Sequence, residues 1–433
     1  MDIIHVAYAF DDNYAEMSCV SMASMLYNTR HPLHFHVLES RLSDESKEKI
    51  ASLQKRFPHG QWSFHRVDQF NNGLFFTGGH FTVETYYRLL LPELLPRIDK
   101  IIYMDGDTVV EGDISTLWRV DLGDKLAGVT PAIRQSNFTK HKDLLGMAEN
   151  AMYFNAGVLL LDLVNLRQFG LLDKAIEVIP GLHKSFVNNG VDWFVDQEVL
   201  NHLLQGKCIF LPPKYNVADH IFDSIDFDDF PLSDWSEAYS HPLIIHYIAR
   251  DKPTRISKCY MYSPSWERYY AYKAMTPYAD ILADEHKIGQ YHKRESEIEN
   301  SLIYPAIYFE YKKKKLFTAL GENLPTMMSV KKLVLWGVNA YTRHLMAILA
   351  TKDIYPDLII DGLPQNRKSN VFHYQVQSPE TLLGGSGDYF ILLCMVNEKP
   401  AEQVGGILVD YGYTKEDYHH IFAPLWAEIN EEL

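Results

Sequence analysis

Cysteine is nearly absent. Cys19, Cys208, Cys259 and Cys394 are scattered over 433 positions, and none belongs to a CxxC pair. That usage excludes a disulfide framework and a thiolate zinc site, and predicts a reducing, cytoplasmic setting. Long apolar runs are missing as well, so nothing offers the roughly 20 apolar residues of a membrane-spanning helix. The first residues, Met1-Asp2-Ile3-Ile4-His5-Val6-Ala7-Tyr8-Ala9, carry no basic leader and read as a buried strand, not a signal peptide. Basic excess is also absent: 41 Lys and Arg face 56 Asp and Glu, a formal charge of −15. An acidic surface repels phosphate backbones, which argues against nucleic acid as a partner. There is no tandem repeat of fixed period.

What remains is ordinary globular composition, 47% hydrophobic and 22% charged. At roughly 100–200 residues per domain, 433 residues predict two to four domains. Strand-like and helix-like patterns alternate through the first hundred residues. Apolar runs at 3–9, around Phe35 and Val37, at 62–67 and at 100–104 read as strands. Between them Ser43 reads as a helix cap, with Asp44 and Glu45 in the first turn, and Thr82 opens a further helix that ends near Pro92. Later strands are expected at Tyr153–Leu161 and Leu243–Ile248, and a helix after Asp192. The alternation predicts an α/β fold with an open, mostly parallel sheet flanked by helices. Residues 1–275 form one domain in this reading, 276–329 a helical linker, and 330–433 a second, Rossmann-like α/β domain whose Ser378-Pro379-Glu380 starts a helix.

In open sheets of this kind, ligands bind beyond the carboxyl ends of the strands. Asp105-Gly106-Asp107 follows the apolar strand Ile101-Ile102-Tyr103-Met104 to that rim. Two carboxylates one residue apart can share a hard divalent cation, which in turn binds the phosphates of a nucleotide. The plainer reading is an Asp-Gly turn. Asp226-Phe227-Asp228 has the same spacing in a turn-like stretch and serves as an internal control. His246 ends another apolar strand, and an imidazole beside two carboxylates suits Mn²⁺; a satisfied core histidine is the alternative. Lys252 follows, with Arg250 and Arg255 near it, offering positive charge to a diphosphate or to solvent. Asp11-Asp12-Asn13-Tyr14 follows the first strand, where an acid can hold a base or ribose and Tyr14 can stack, or where an Asx cap starts a helix.

Five segments occur in order: Ala9-Phe10-Asp11-Asp12-Asn13-Tyr14, Tyr103-Met104-Asp105-Gly106-Asp107, Phe154-Asn155-Ala156-Gly157, Asp196-Gln197-Glu198, and His246-Tyr247 through Lys252-Pro253. Together, over roughly residues 1–275, they resemble glycosyltransferase family 8, which includes bacterial lipooligosaccharide galactosyl- and glucosyltransferases and the glycogenins. The resemblance implies a GT-A fold, Mn²⁺ or Mg²⁺, a UDP-hexose donor (glucose or galactose) and retention of anomeric configuration. It implies Asp105, Asp107 and His246 as metal ligands. Ala9, Asp11, Asn13 and Tyr14 match the loop that holds uridine, and Lys252 the lysine on the diphosphate. Arg88, Asn155, Asp196 and Gln197 match residues around the donor sugar. The acceptor implied is a glycan, glycolipid or glycoprotein. Two departures stand out. The family's His-x-x-Gly-Pro-x-Lys reads here with Ile248-Ala249-Arg250-Asp251 in its middle, and Ala132 stands where some members carry an acid.

The expected mechanism is a front-face internal return: the departing phosphate takes the acceptor proton, and Gln197 stabilises the sugar. A double displacement would need a carboxylate nucleophile, for which Asp196 is the nearer candidate. A sugar-nucleotide-binding protein with weakened activity is the alternative, motivated by the altered 248–251 loop. An oxidoreductase using the second domain is opposed by its turn: Gly337 is present, but Asn339 and Thr342 replace the other two glycines of GxGxxG. A structural, dimerising or acceptor-docking role suits that domain better. Tyr308–Phe317, with Lys312 to Lys315 beside aromatics, offers peripheral contact at the inner face of an anionic membrane, or simply a solvated helix face.

Overall fold

The computed structural model describes residues 2–67, 76, 82–132, 135–218, 229–248, 252–254, 265–299, 305–368 and 370–424. The chain divides into two compact units, Met1–Asp219 with His241–Gln290, and His220–Ser240 with Tyr291–Leu433.

The first unit is built on β1 (Ile4–Ala9), β2 (Leu33–Glu39), β3 (Gly60–Arg66), β4 (Lys100–Met104), β5 (Thr108–Val110), β6 (Ala127–Pro131), β7 (Phe154–Asp162), β8 (Cys208–Phe210), β9 (Val217–Ala218) and β10 (Ile244–His246). Seven strands make one sheet in the order β3-β2-β1-β4-β7-β6-β8. Four of the six pairings are parallel; those of β7 with β4 and β6 are antiparallel. Strand alternation sends Val6, Tyr8, Phe35 and Val37 to one face, against Cys19, Met22 and Leu26 of the helix Ala15–Asn28. Ala7, Leu38, Tyr103 and Leu159 face the other way, against Tyr86, Leu90 and Val199. Burying each large apolar side chain contributes roughly 1.5–3 kcal/mol. A one-residue slip would turn every one of them to the wrong face, so the register is tightly specified. A separate, smaller sheet has the order β5-β10-β9.

Ser43 caps its helix as expected, its hydroxyl accepting from the Ser46 N–H at 3.2 Å. Thr82 does not: its side chain makes no cap bond, and Val83–Leu90 winds as a tighter 3₁₀ helix. Six of its eight residues are buried, including Glu84 and Arg88, and the eclipsed i, i+3 spacing of 3₁₀ geometry sets Arg88 above Thr85, whose carbonyl it contacts at 3.1 Å. The helix expected after Asp192 runs from Asp196 to Leu204, preceded by Val195 at φ +45°. Positive φ in a β-branched residue is strained, and the strain falls just before Asp196 and Gln197.

The second unit holds β11 (Lys332–Trp336), β12 (Leu358–Ile360), β13 (Asn370–Val371), β14 (Tyr374–Gln377), β15 (Tyr389–Leu393) and β16 (Tyr418–His420), ordered β13-β14-β12-β11-β15-β16. From β14 to β16 every pairing is parallel, the order of a doubly wound sheet. The helix Ala340–Ala350 packs against Leu232–Ser240 and Pro305–Met328. Phe317, Leu320 and Leu324 are buried, so this stretch of the expected linker contributes to the second core. Lys313 is buried too, its ammonium 4.8 Å from the centre of the Tyr341 ring, which removes it from any solvated or membrane-facing lysine row; Lys315 is exposed. Ser378 begins only the 3₁₀ turn Pro379–Leu382, with no side-chain cap bond. No helix among the described residues is long and apolar enough to cross a membrane.

Candidate active site

Three backbone relationships assemble the rim. Asp105 leaves the end of β4, and its N–H donates to the Gly157 carbonyl at the start of the long strand β7 at 2.8 Å. β5 then turns back and pairs antiparallel with β10, setting His246 opposite Thr108. The Tyr247 N–H closes the arrangement by donating to the Asp107 carbonyl at 2.8 Å. Residues far apart in the chain thus meet: His246 Nε2 lies 3.2 Å from Asp107 Oδ1 and 3.9 Å from Asp105 Oδ2. Ala9 ends β1, the parallel neighbour of β4, and Asp11, Asn13 and Tyr14 follow it. Asp11 accepts from the Asn13 N–H at 3.0 Å and from its amide at 2.9 Å. The helix cap position belongs to Tyr14, which makes no side-chain cap bond. Asp226, Asp228, Arg250 and Arg255 lie outside the described residues.

Glycine at 157 is a steric requirement. A Cβ there would sit 2.2 Å from His246 Cε1 and 2.9 Å from Asp105 Oδ2. At Gly106 a Cβ would meet the Ser18 hydroxyl at 2.2 Å.

The polar network behind the rim fixes its own proton positions. The Gly157 N–H donates to Asn155 Oδ1 at 2.9 Å, so the Asn216 atom 2.9 Å from that oxygen is the amide nitrogen. Asn216 Oδ1 therefore faces His246 Nδ1 at 3.0 Å and accepts its proton. Nε2 is thereby the ring nitrogen that faces the two aspartates. The same logic applies to Gln197. Its Oε1 accepts from the Ala156 N–H at 3.0 Å and the Asn155 amide at 3.2 Å. Its nitrogen then donates to the Tyr153 hydroxyl at 3.0 Å. Glu198, one residue on, contacts His141 Nδ1 at 2.8 Å in a buried pair.

Arg88 lies behind Asp105 rather than beside open solvent. It is buried, with Nη2 donating to Asp105 Oδ1 at 2.7 Å and Nη1 to the Ala156 carbonyl. Its guanidinium lies 4.1 Å from the centre of the Tyr103 ring. Asp196 Oδ2 stands 2.9 Å from Arg88 Nε as an ion pair rather than an aligned hydrogen bond. Burial pushes the Asp196 carboxyl up to about 7, with Arg88 opposing and Asp105 adding to the rise. Asp107 goes the other way. Burial favours its neutral form, but Lys252 and His246 outweigh it and hold the carboxyl far below the ordinary range. Lys252 is buried and ion-paired to Asp107, also donating to the Tyr247 carbonyl.

Two carboxylates, one imidazole nitrogen and a buried ammonium, at the carboxyl end of a mostly parallel sheet, fit a divalent cation and a phosphate ester. The family model of glycosyl transferase family 8 matches residues 5–254. The chain belongs to that family. This family 8 chain is similar to the lipopolysaccharide 1,2-glucosyltransferase of Escherichia coli strain K12, 28% identical over 255 residues, covering 58% of this chain and 73% of that protein. It is also similar to general stress protein A of Bacillus subtilis strain 168, 24% identical over 281 residues, covering 63% and 94%. Among solved structures it resembles galactosyltransferase LgtC in complex with donor and acceptor sugar analogs, at 25% identity and a TM-score of 0.55, covering 64% of this chain and 98% of that one. The mixed, helix-flanked sheet of the first unit is accordingly of the GT-A type.

Sequence reading of this family 8 chain missed Asn216, Tyr153, Glu198 and His141. Asn216 lies in Lys214-Tyr215-Asn216, which has no motif. Glu198 adjoins Gln197 but reads as a helical surface acid until burial is known. In the second unit, Asn339 occupies the turn where a dinucleotide's phosphates would approach. Its Oδ1 accepts from the Tyr341 and Thr342 N–H groups at 2.9 and 3.1 Å, and its amide reaches across to the Cys394 carbonyl at 2.8 Å. The helix amides that hold a pyrophosphate in glycine-rich turns are here taken by the protein's own side chain.

Proposed function

We propose that this family 8 chain is a retaining hexosyltransferase that moves glucose or galactose from a UDP-hexose to a hydroxyl of a glycan, glycolipid or glycoprotein, with Mn²⁺ as its metal. The observation that carries the reading is the convergence of Asp105, Asp107 and His246 with Lys252 at one rim. The donor set fits the ion: two carboxylates and one imidazole, with Nδ1 engaged by Asn216 so that Nε2 is the nitrogen turned to the carboxylates. When bound there, the ion supplies positive charge to a leaving diphosphate.

The protein's own groups do the rest. Arg88 orients Asp105 from behind instead of contacting the sugar. Lys252 turns from Asp107 toward the diphosphate and offsets its growing charge. Asp11, Asn13 and Tyr14, with the Ala9 backbone, line the approach of the uridine. Asn155 and Gln197 present amides to the sugar. Both faces of the Gln197 amide are held, which suits a fixed dipole beneath the anomeric carbon. Asp196, buried against Arg88, is poorly placed as a nucleophile, and this favours the front-face route in which the phosphate takes the acceptor proton. A panel of UDP-sugars with Mn²⁺ or Mg²⁺, read as UDP release and as transfer, tests the reading. Metal-dependent turnover with UDP-glucose or UDP-galactose is expected. Donor binding without turnover would favour the weakened binding protein, and no binding would sink both.

A further inference from the structure

The first halves of β1 and β2 carry a second cluster. We propose that His5, His34 and His36 form a separate metal site, taking a late first-row divalent ion such as Zn²⁺ through one imidazole nitrogen from each. Strand alternation puts His34 and His36 on one face of β2, and the pairing of His5 with His34 brings the third ring beside them from β1. The three ligating nitrogens lie within 4.8 Å of one another. Metal–nitrogen distances of about 2.0–2.1 Å in a tetrahedral site need the nitrogens about 3.3 Å apart, so only small side-chain rotations separate this cluster from a coordinating one.

The contacts already resemble a site with a proton in place of a cation. His5 Nδ1 and His36 Nε2 face each other at 3.0 Å. Two imidazole nitrogens at that distance hold one proton between two lone pairs, which a metal ion can replace. The other nitrogen of His36 meets His65 Nε2 from β3 at 3.1 Å. Such an outer partner fixes the tautomer of a ligating histidine. The His34 ring stacks on His36 with centroids 4.3 Å apart, and its Nε2 is anchored 2.8 Å from the Ser63 hydroxyl. Trp118 walls one side, its ring 6.4 Å from that of His5. His5, His34 and His65 are half-buried and Gln61 beside them is exposed, so an ion has access. Burial lowers all four imidazoles, with repulsion from neighbouring histidines adding to the fall at His5, His36 and His65, and takes His36 to about 3. At neutral pH they therefore carry lone pairs rather than charge.

The chemistry differs from that of the Asp105–Asp107–His246 rim. That set is oxygen-rich and suits Mn²⁺ or Mg²⁺; three imidazoles and no carboxylate favour zinc or copper. The two clusters therefore sort different ions.

The test is a zinc titration of the metal-stripped full chain, in saturating Mg²⁺, against a chromophoric chelator. Wild type should take up one equivalent, and Asp107→Asn should keep it. His5→Asn and His34→Asn, both at half-buried positions, should lose it while keeping wild-type circular dichroism. Affinity should fall by more than the roughly 10–100-fold that losing an outer partner costs, which is the effect expected for His65→Phe. With Co²⁺ as probe, wild type should show intense four-coordinate visible absorption that His34→Asn lacks. No zinc uptake by wild type, unchanged affinity in folded His5→Asn and His34→Asn, or loss of the equivalent in Asp107→Asn would each overturn the proposal.

Discussion

The amide oxygen of Asn216 stands 3.0 Å from His246 Nδ1, and that contact determines which imidazole nitrogen faces Asp105 and Asp107. Asn216→Ala should weaken Mn²⁺ binding by about 10–100-fold, the usual cost of an outer-shell partner. Excess Mn²⁺ should restore most of the turnover. A metal titration of activity checks this, and an unchanged half-saturation would show that His246 holds its tautomer unaided.

Gly157 is the position where a single methyl group does most damage. Gly157→Ala drives a Cβ into His246 and Asp105. A displacement of about 1 Å at a reacting site costs on the order of 10²-fold in rate. Turnover should fall at least that far while melting temperature changes little. Wild-type turnover in this variant would mean that the imidazole has room to retreat.

Removing the metal should remove the reaction. Chelator treatment should abolish UDP release, and added Mn²⁺ should recover it. Asp107→Asn should be inactive at any Mn²⁺ concentration yet folded. Persistent Mn²⁺-dependent activity in Asp107→Asn would end the metal assignment.

Lys252 and Gln197 should separate by kinetics. Lys252→Ala loses charge that matters most as the diphosphate leaves, so turnover should drop about 10²–10³-fold. Gln197→Ala should slow transfer while UDP affinity, measured by calorimetry, stays near wild type. A sugar trapped covalently on Asp196, seen by mass spectrometry, would reverse the front-face reading.

Asp196 sets a pH signature. Its carboxyl rises from 3.8 unfolded to about 7 folded. The folded chain therefore binds the extra proton across that window, and the stability tied to this group is full below about 4 and lost as pH rises through about 7. Without metal, Asp196→Asn should lose less melting temperature than wild type between pH 5 and pH 7.5. Parallel curves for the two proteins would show that Arg88 keeps Asp196 ionised throughout.

Local order decided what the sequence could reveal. An apolar run ending in Asp105-Gly106-Asp107 is a strand delivering carboxylates to a rim, because strand period and turn chemistry act over a few residues. The alternation that makes the open sheet is legible for the same reason. Pairing between distant segments is not local. That His246 meets Asp107 depends on β10 reversing against β5, and that His5 joins His34 depends on the register of β1 with β2. Burial is likewise a property of the packed whole. It sets Arg88, expected around the donor sugar, behind Asp105, draws Lys313 inward from a run of four lysines, and makes an unremarked Asn216 the partner of His246. Hydrogen bonds in a core are fixed by which donors lose their water together, and only the tertiary structure determines that company.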